Sequence, residues 1–111
     1  MFNNCKYLIK APNLPATTLA DYCYYYMFNN CTSLTTLPSN LLPATKLANY
    51  CYNNMFQYCS SLVEPPSGWI LPAKTLYTNS VSYMFYGCSK LQKMAVSYSG
   101  TITSYHWTYF L

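Results

Sequence analysis

Six cysteines are the residues of this chain most able to do chemistry: Cys5, Cys23, Cys31, Cys51, Cys59 and Cys88. An even count is compatible with disulfides, and thiolates bind metals. Their spacing favours neither. Cys5, Cys31, Cys59 and Cys88 stand at one position of an internal repeat, and Cys23 and Cys51 at another. If each repeat supplies a helix, equivalent cysteines on neighbouring helices lie roughly 8–10 Å apart. A disulfide needs Cα atoms within about 7 Å. Cys23 and Cys31, within one such helix, would be about 12 Å apart. Zinc sites draw on Cys pairs about two to four residues apart, which this chain lacks. The spacing therefore points to a structural ladder of buried free thiols, because Cys packs well as a small hydrophobe.

The remaining titratable groups are few. His106, Asp21 and Glu64 are the single His, Asp and Glu. Acid–base catalysis needs such groups placed together, and the repeat frame sends these three to different places. We expect no enzyme, no cofactor and no metal. Charged residues make up 7% of the chain and aromatics 19%, so a disordered chain is excluded. The net charge of +4 comes from scattered lysines without any Arg. Nucleic-acid binders cluster their positive charge and use Arg for bidentate contacts, so no nucleic-acid partner is expected. No apolar run approaches the ~20 residues that span a bilayer, so no membrane insertion is expected.

The elements that must position these residues are repeated. Met-Phe-x-x-Cys-x-x-Leu occurs at Met1, Met27, Met55 and Met84, and Leu-Pro-Ala-x-x-Leu at Leu14, Leu42 and Leu71. From each of the first three Met residues to Pro12, Pro38 and Pro66 is 11 residues. From Pro15, Pro43 and Pro72 to the next Met is 12 residues. Only the segment between the two Pro residues changes length, as an exposed loop on a constant frame would. One domain, 1–111, is expected, with repeats 1–26, 27–54, 55–83 and 84–111. The last is degenerate, with 95–111 resembling a cap. Met1 opens directly into a repeat without a leader, so a piece of a longer protein is expected.

Each repeat reads as a short helix followed by a brief strand. Leu47, Cys51, Met55 and Cys59 recur every fourth residue, with Tyr52 and Phe56 beside them. Leu19, Cys23, Met27 and Cys31 do the same. Such offsets share one helix face. Leu34-Thr-Thr-Leu-Pro38 reads as a strand parallel to Leu8–Pro12, Leu62–Pro66 and the segment from Leu91. The expected fold class is an α/β repeat solenoid of about four coils, with short parallel strands on one face and short helices on the other.

Cys-x-x-Leu-x-x-Leu-Pro, then Leu-Pro-Ala-x-x-Leu, then Met-Phe-x-x-Cys resembles the BspA-type leucine-rich repeat over residues 1 to about 94. Met27-Phe28-x-x-Cys31 and Met55-Phe56-x-x-Cys59 carry the likeness, with Met where that family often has Ala. The resemblance implies a right-handed leucine-rich-repeat stack, display on a cell or virion surface of gut bacteria or their phages, and adhesion. Because fold alone does not fix function, candidate contacts come from positions that vary within the frame. These are the outward strand residues Ile9, Thr35, Val63 and Gln92, and Lys10, Thr36, Glu64 and Lys93. Trp69, at the tip of the longest loop, either contacts a ligand or folds back over its neighbours. Tyr22, Tyr24, Tyr25 and Tyr26 either form a rigid amphipathic binding surface or cover helix grooves and solubilise a surface of low charge. The expected activity is recognition of a protein or glycan. The alternative is a structural spacer or assembly element with end-to-end self-association.

Overall fold

A computed structural model of the chain describes residues 2–38, 41–63 and 77–91. These residues contain no helix and no strand. The expected α/β repeat solenoid, a right-handed leucine-rich-repeat stack, is therefore not what the described residues form. The radius of gyration is 12.6 Å and the extents are 34 × 26 × 23 Å, as for a globule of about 100 residues.

Turns replace the helices. Residues 21–30 and 49–58 are continuous turn, and every fourth residue is left-handed. Tyr22, Tyr26 and Asn30 have φ of 62°, 56° and 59°, and Tyr50, Asn54 and Tyr58 have 59°, 58° and 61°. Asn79, Tyr83 and Gly87 continue the series at 49°, 58° and 77°. A right-handed helix cannot pass through such residues. Asn and Gly accept this conformation most readily, whereas each left-handed Tyr costs about 1–2 kcal/mol. The stretch is also built from Asn, Tyr and Cys, which are middling helix formers.

Backbone hydrogen bonds show what the turns gain. Alternate N–H groups close a local turn: Cys23 to Ala20 (3.2 Å), Tyr25 to Tyr22 (3.3 Å), Met27 to Tyr24 (3.1 Å) and Asn29 to Tyr26 (3.1 Å). The N–H groups between them reach the following repeat. Tyr22 donates to the Asn49 carbonyl (3.0 Å), Tyr24 to Cys51 (3.0 Å), Tyr26 to Asn53 (3.1 Å), Phe28 to Met55 (2.8 Å) and Asn30 to Gln57 (2.7 Å). The same pattern joins Tyr50, Tyr52, Asn54, Phe56 and Tyr58 to Thr78, Ser80, Ser82, Met84 and Tyr86. A helix would direct every N–H to the carbonyl four residues earlier and leave none for a neighbour.

The expected strands shrink to single bridges. Lys10 pairs in parallel with Thr36, and Thr18 with Lys46. Pro12 and Pro38 lack the N–H that would extend the first pairing. The loop between the two Pro residues is not simply exposed, since Leu14, Leu41 and Leu42 are buried.

The core lies between the repeats. Phe2, Phe28, Phe56 and Phe85 form a column of nearly parallel rings with centroids 5.6, 5.4 and 5.2 Å apart, within the range of favourable ring pairs. Met27, Met55, Met84, Leu34, Leu62, Leu47 and Cys51 are buried with them. The buried positions thus keep the four-residue period of the sequence in a backbone that is not helical.

Candidate functional site

The cysteines acquire a structural role from this frame. All six are free. The Cys31 thiol donates to the Phe2 carbonyl (3.0 Å), Cys59 to Phe28 (3.1 Å) and Cys88 to Phe56 (3.1 Å). Each of these carbonyls also takes the backbone N–H three residues on, from Cys5, Cys31 and Cys59. The thiol thus fills the second lone pair of a carbonyl held between repeats, where a missing partner would be costly. Burial pushes the Cys51 thiol up to about 12 and Cys88 up to about 11. It raises Cys31 and Cys59 in the same direction. Thiols of this kind stay protonated at neutral pH, so they donate hydrogen bonds and are poor nucleophiles.

Cys23 differs from the others. It is exposed, whereas Cys31, Cys51 and Cys59 are buried and Cys5 and Cys88 are half-buried. The expected burial is therefore absent at Cys23 and only partial at Cys5 and Cys88. The difference goes with the neighbouring repeat: the Cys51 carbonyl takes the N–H of Tyr24, and no described N–H reaches the equivalent Cys23 carbonyl.

Asp21 is tied to the backbone. Its Oδ1 accepts the N–H of Asn49 (3.0 Å), and the Asn49 Oδ1 accepts the N–H of Thr78 (3.2 Å). The carboxylate therefore serves as a repeat-to-repeat link. Glu64 and His106 lie outside the described residues. Among the described residues no cluster of His, Cys, Asp or Glu could hold a metal ion. No helix among them is long and apolar enough to cross a membrane.

Five of the candidate contact residues lie among the described residues. Ile9, Lys10, Thr35, Thr36 and Val63 are all exposed. The Ile9 carbonyl accepts the N–H groups of Thr35 (2.9 Å) and Thr36 (3.2 Å), and the Thr36 carbonyl accepts that of Ala11 (3.1 Å). These bonds hold the first and second repeats side by side. Leu34, Leu37 and Leu62 are buried between the exposed positions. Ile9 and Val63 are 61% and 42% exposed, unusual for large aliphatic side chains. Glu64, Trp69, Gln92 and Lys93 lie outside the described residues, as does the cap-like segment 95–111.

The tyrosines form a second surface that single-residue patterns did not fully reveal. Tyr22 stacks on Tyr50 (4.8 Å, 2°) and meets Tyr25 edge-on (5.1 Å), while Tyr25 meets Tyr26 edge-on (4.4 Å). Tyr24 stacks on Tyr52 (6.0 Å, 3°). Tyr22 and Tyr25 are exposed, and Tyr52 is buried. The sequence signal for this division was the match of Tyr22 and Tyr24 to Tyr50 and Tyr52 one repeat later. A cleft of about 390 Å³ opens near the same end, lined by Phe2, Leu8, Ala11 and Pro12 with Lys10 among its walls.

No protein family, no curated protein and no solved structure matches the chain.

Proposed function

We propose that the chain is a surface-displayed recognition module that binds a protein or glycan across Ile9, Lys10, Thr35, Thr36 and Val63. The observation that carries this reading is the exposure of Ile9 and Val63 on a row whose neighbours Leu34 and Leu62 are buried. A frame able to bury Leu34 and Leu62 leaves these two aliphatic side chains in water, with Ile9 hydrogen-bonded to Thr35 and next to Lys10. Exposed apolar side chains rimmed by polar groups are the usual composition of a contact surface. The Met-Phe-x-x-Cys resemblance supports a setting outside the cell, on a cell or virion surface.

The test is binding of the chain to arrays of glycans and of purified extracellular proteins, repeated with Ile9→Ser, Val63→Ser and Lys10→Ala. A ligand of this row should lose about tenfold or more in affinity with Ile9→Ser or Val63→Ser. A ligand held equally by all four versions, or none at all, contradicts the reading.

A further inference from the structure

Within the turn segments the backbone hydrogen bonds between repeats run one way. An N–H of one repeat donates to a carbonyl of the repeat that follows. In the row over residues 49–57, the carbonyls of Asn49, Cys51, Asn53, Met55 and Gln57 are all filled. The equivalent carbonyls one repeat earlier are those of Asp21, Cys23, Tyr25, Met27 and Asn29. Phe2 donates to Met27 (3.1 Å) and Asn4 to Asn29 (2.8 Å). No described backbone N–H donates to the carbonyls of Asp21, Cys23 or Tyr25. Two carbonyls of this acceptor row are occupied and three are open, in one continuous register.

Side chains at the open half agree. Tyr22 and Tyr24 have the rings of Tyr50 and Tyr52 on one face. Tyr22 is exposed where Tyr50 is half-buried, and Tyr24 is half-buried where Tyr52 is buried. Leu19 is half-buried where Leu47 is buried, and Cys23 is exposed where Cys51 is buried. The cleft lined by Phe2 and Leu8 lies at the same end, whereas the equivalent Phe28 and Leu34 are fully covered.

We propose that this end of the molecule is a docking site for one further repeat of the same type. The occupant is a chain segment that offers an N–H at every second residue to Asp21, Cys23 and Tyr25 and lays aromatic rings on Tyr22 and Tyr24. A row of unpaired carbonyls is a template for a backbone that can complete it. Phe2 and Asn4 already show the register such a backbone takes. A glycan could lie on the tyrosines but brings no periodic row of N–H donors. This site is independent of the Ile9–Val63 row, and the two readings can fail separately.

The test fuses a copy of residues 27–54 directly ahead of Met1. The added residues equivalent to Tyr50, Tyr52 and Asn54 then fall opposite Asp21, Cys23 and Tyr25, at the offset that joins Phe2 to Met27. Alkylation of Cys23 in the folded protein, followed by peptide mass mapping, should slow by about tenfold or more, toward the rate of Cys59, because its exposure would then require local opening. A second version carries Tyr52→Pro within the added copy only, which removes the N–H aimed at Cys23. It should return Cys23 to its original rate while Cys59 stays slow. Unchanged labelling of Cys23 in the first fusion, or equal protection in both fusions, overturns the proposal.

Discussion

Cys23 and Cys51 occupy the same position of consecutive repeats, yet one is exposed and the other is buried. Their local sequences are nearly alike, with Tyr-Cys-Tyr at both. Their backbones are alike too, since Tyr22 and Tyr50 share a left-handed φ near 60°. What differs is the presence of a neighbour. Cys51 stands in a row of carbonyls that takes the N–H groups of Tyr22, Tyr24 and Tyr26, and the Cys23 carbonyl takes no described N–H. Burial in this protein is therefore a property of repeat pairs rather than of any single repeat.

That contrast is most sharply tested in the phenylalanine column. Phe56 has a ring on both faces and is buried, whereas Phe2 has one partner and is half-buried. Phe56→Ala should cost about 3–5 kcal/mol in urea unfolding, and Phe2→Ala clearly less. Equal costs would break the comparison.

Alkaline pH should come next. An unfolded thiol ionises near 9, while burial holds the folded Cys51 thiol to about 12 and Cys88 to about 11. The folded form binds the proton more tightly, so stability is intact below pH 9 and falls as pH rises toward 12. Unfolding midpoints measured across that window should drop, and Cys51→Ala should flatten the dependence. A midpoint that rises, or a slope unchanged in Cys51→Ala, would contradict the assignment.

Thiol donors give a smaller effect. Cys59→Ala removes the hydrogen bond to the Phe28 carbonyl and should destabilise by about 1–2 kcal/mol. Cys23→Ala should stay within about 0.5 kcal/mol. Gly87→Ala should cost about 1 kcal/mol or somewhat more through its positive φ, because the new Cβ also runs into the Tyr58 ring. Thermal midpoints of the three variants would rank them.

Much of the packing could be read from the sequence, but the backbone could not. The recurrence of Leu47, Cys51, Met55 and Cys59 identified a buried face, and all four are buried. Reading that face as helical overlooked its regularity. A helix turns 3.6 residues at a time, so a strict step of four drifts by about 40° each time, or about 120° from Leu47 to Cys59. Four side chains that stay in one core across that span suit a turn of exactly four residues better. The Asn residues at 30, 54 and 79 hinted at left-handed positions, but Tyr at 22, 26 and 50 gave no such signal. Those tyrosines are held there by hydrogen bonds to the next repeat, which single-repeat propensities do not contain. The exposed row at Ile9 and Thr35 could be found because only variable positions stand out against a constant frame. The acceptor row at Asp21, Cys23 and Tyr25 could not, because carbonyls carry no sequence signal.

The central claim is that alternate N–H groups cross between repeats instead of closing a helix. Through-hydrogen-bond NMR couplings between amide nitrogens and carbonyl carbons test it directly in a chain of 12.8 kDa. The structure predicts a correlation from the Tyr24 nitrogen to the Cys51 carbonyl carbon and from Phe28 to Met55. Correlations from Tyr24 and Phe28 to the carbonyls four residues before them would contradict it.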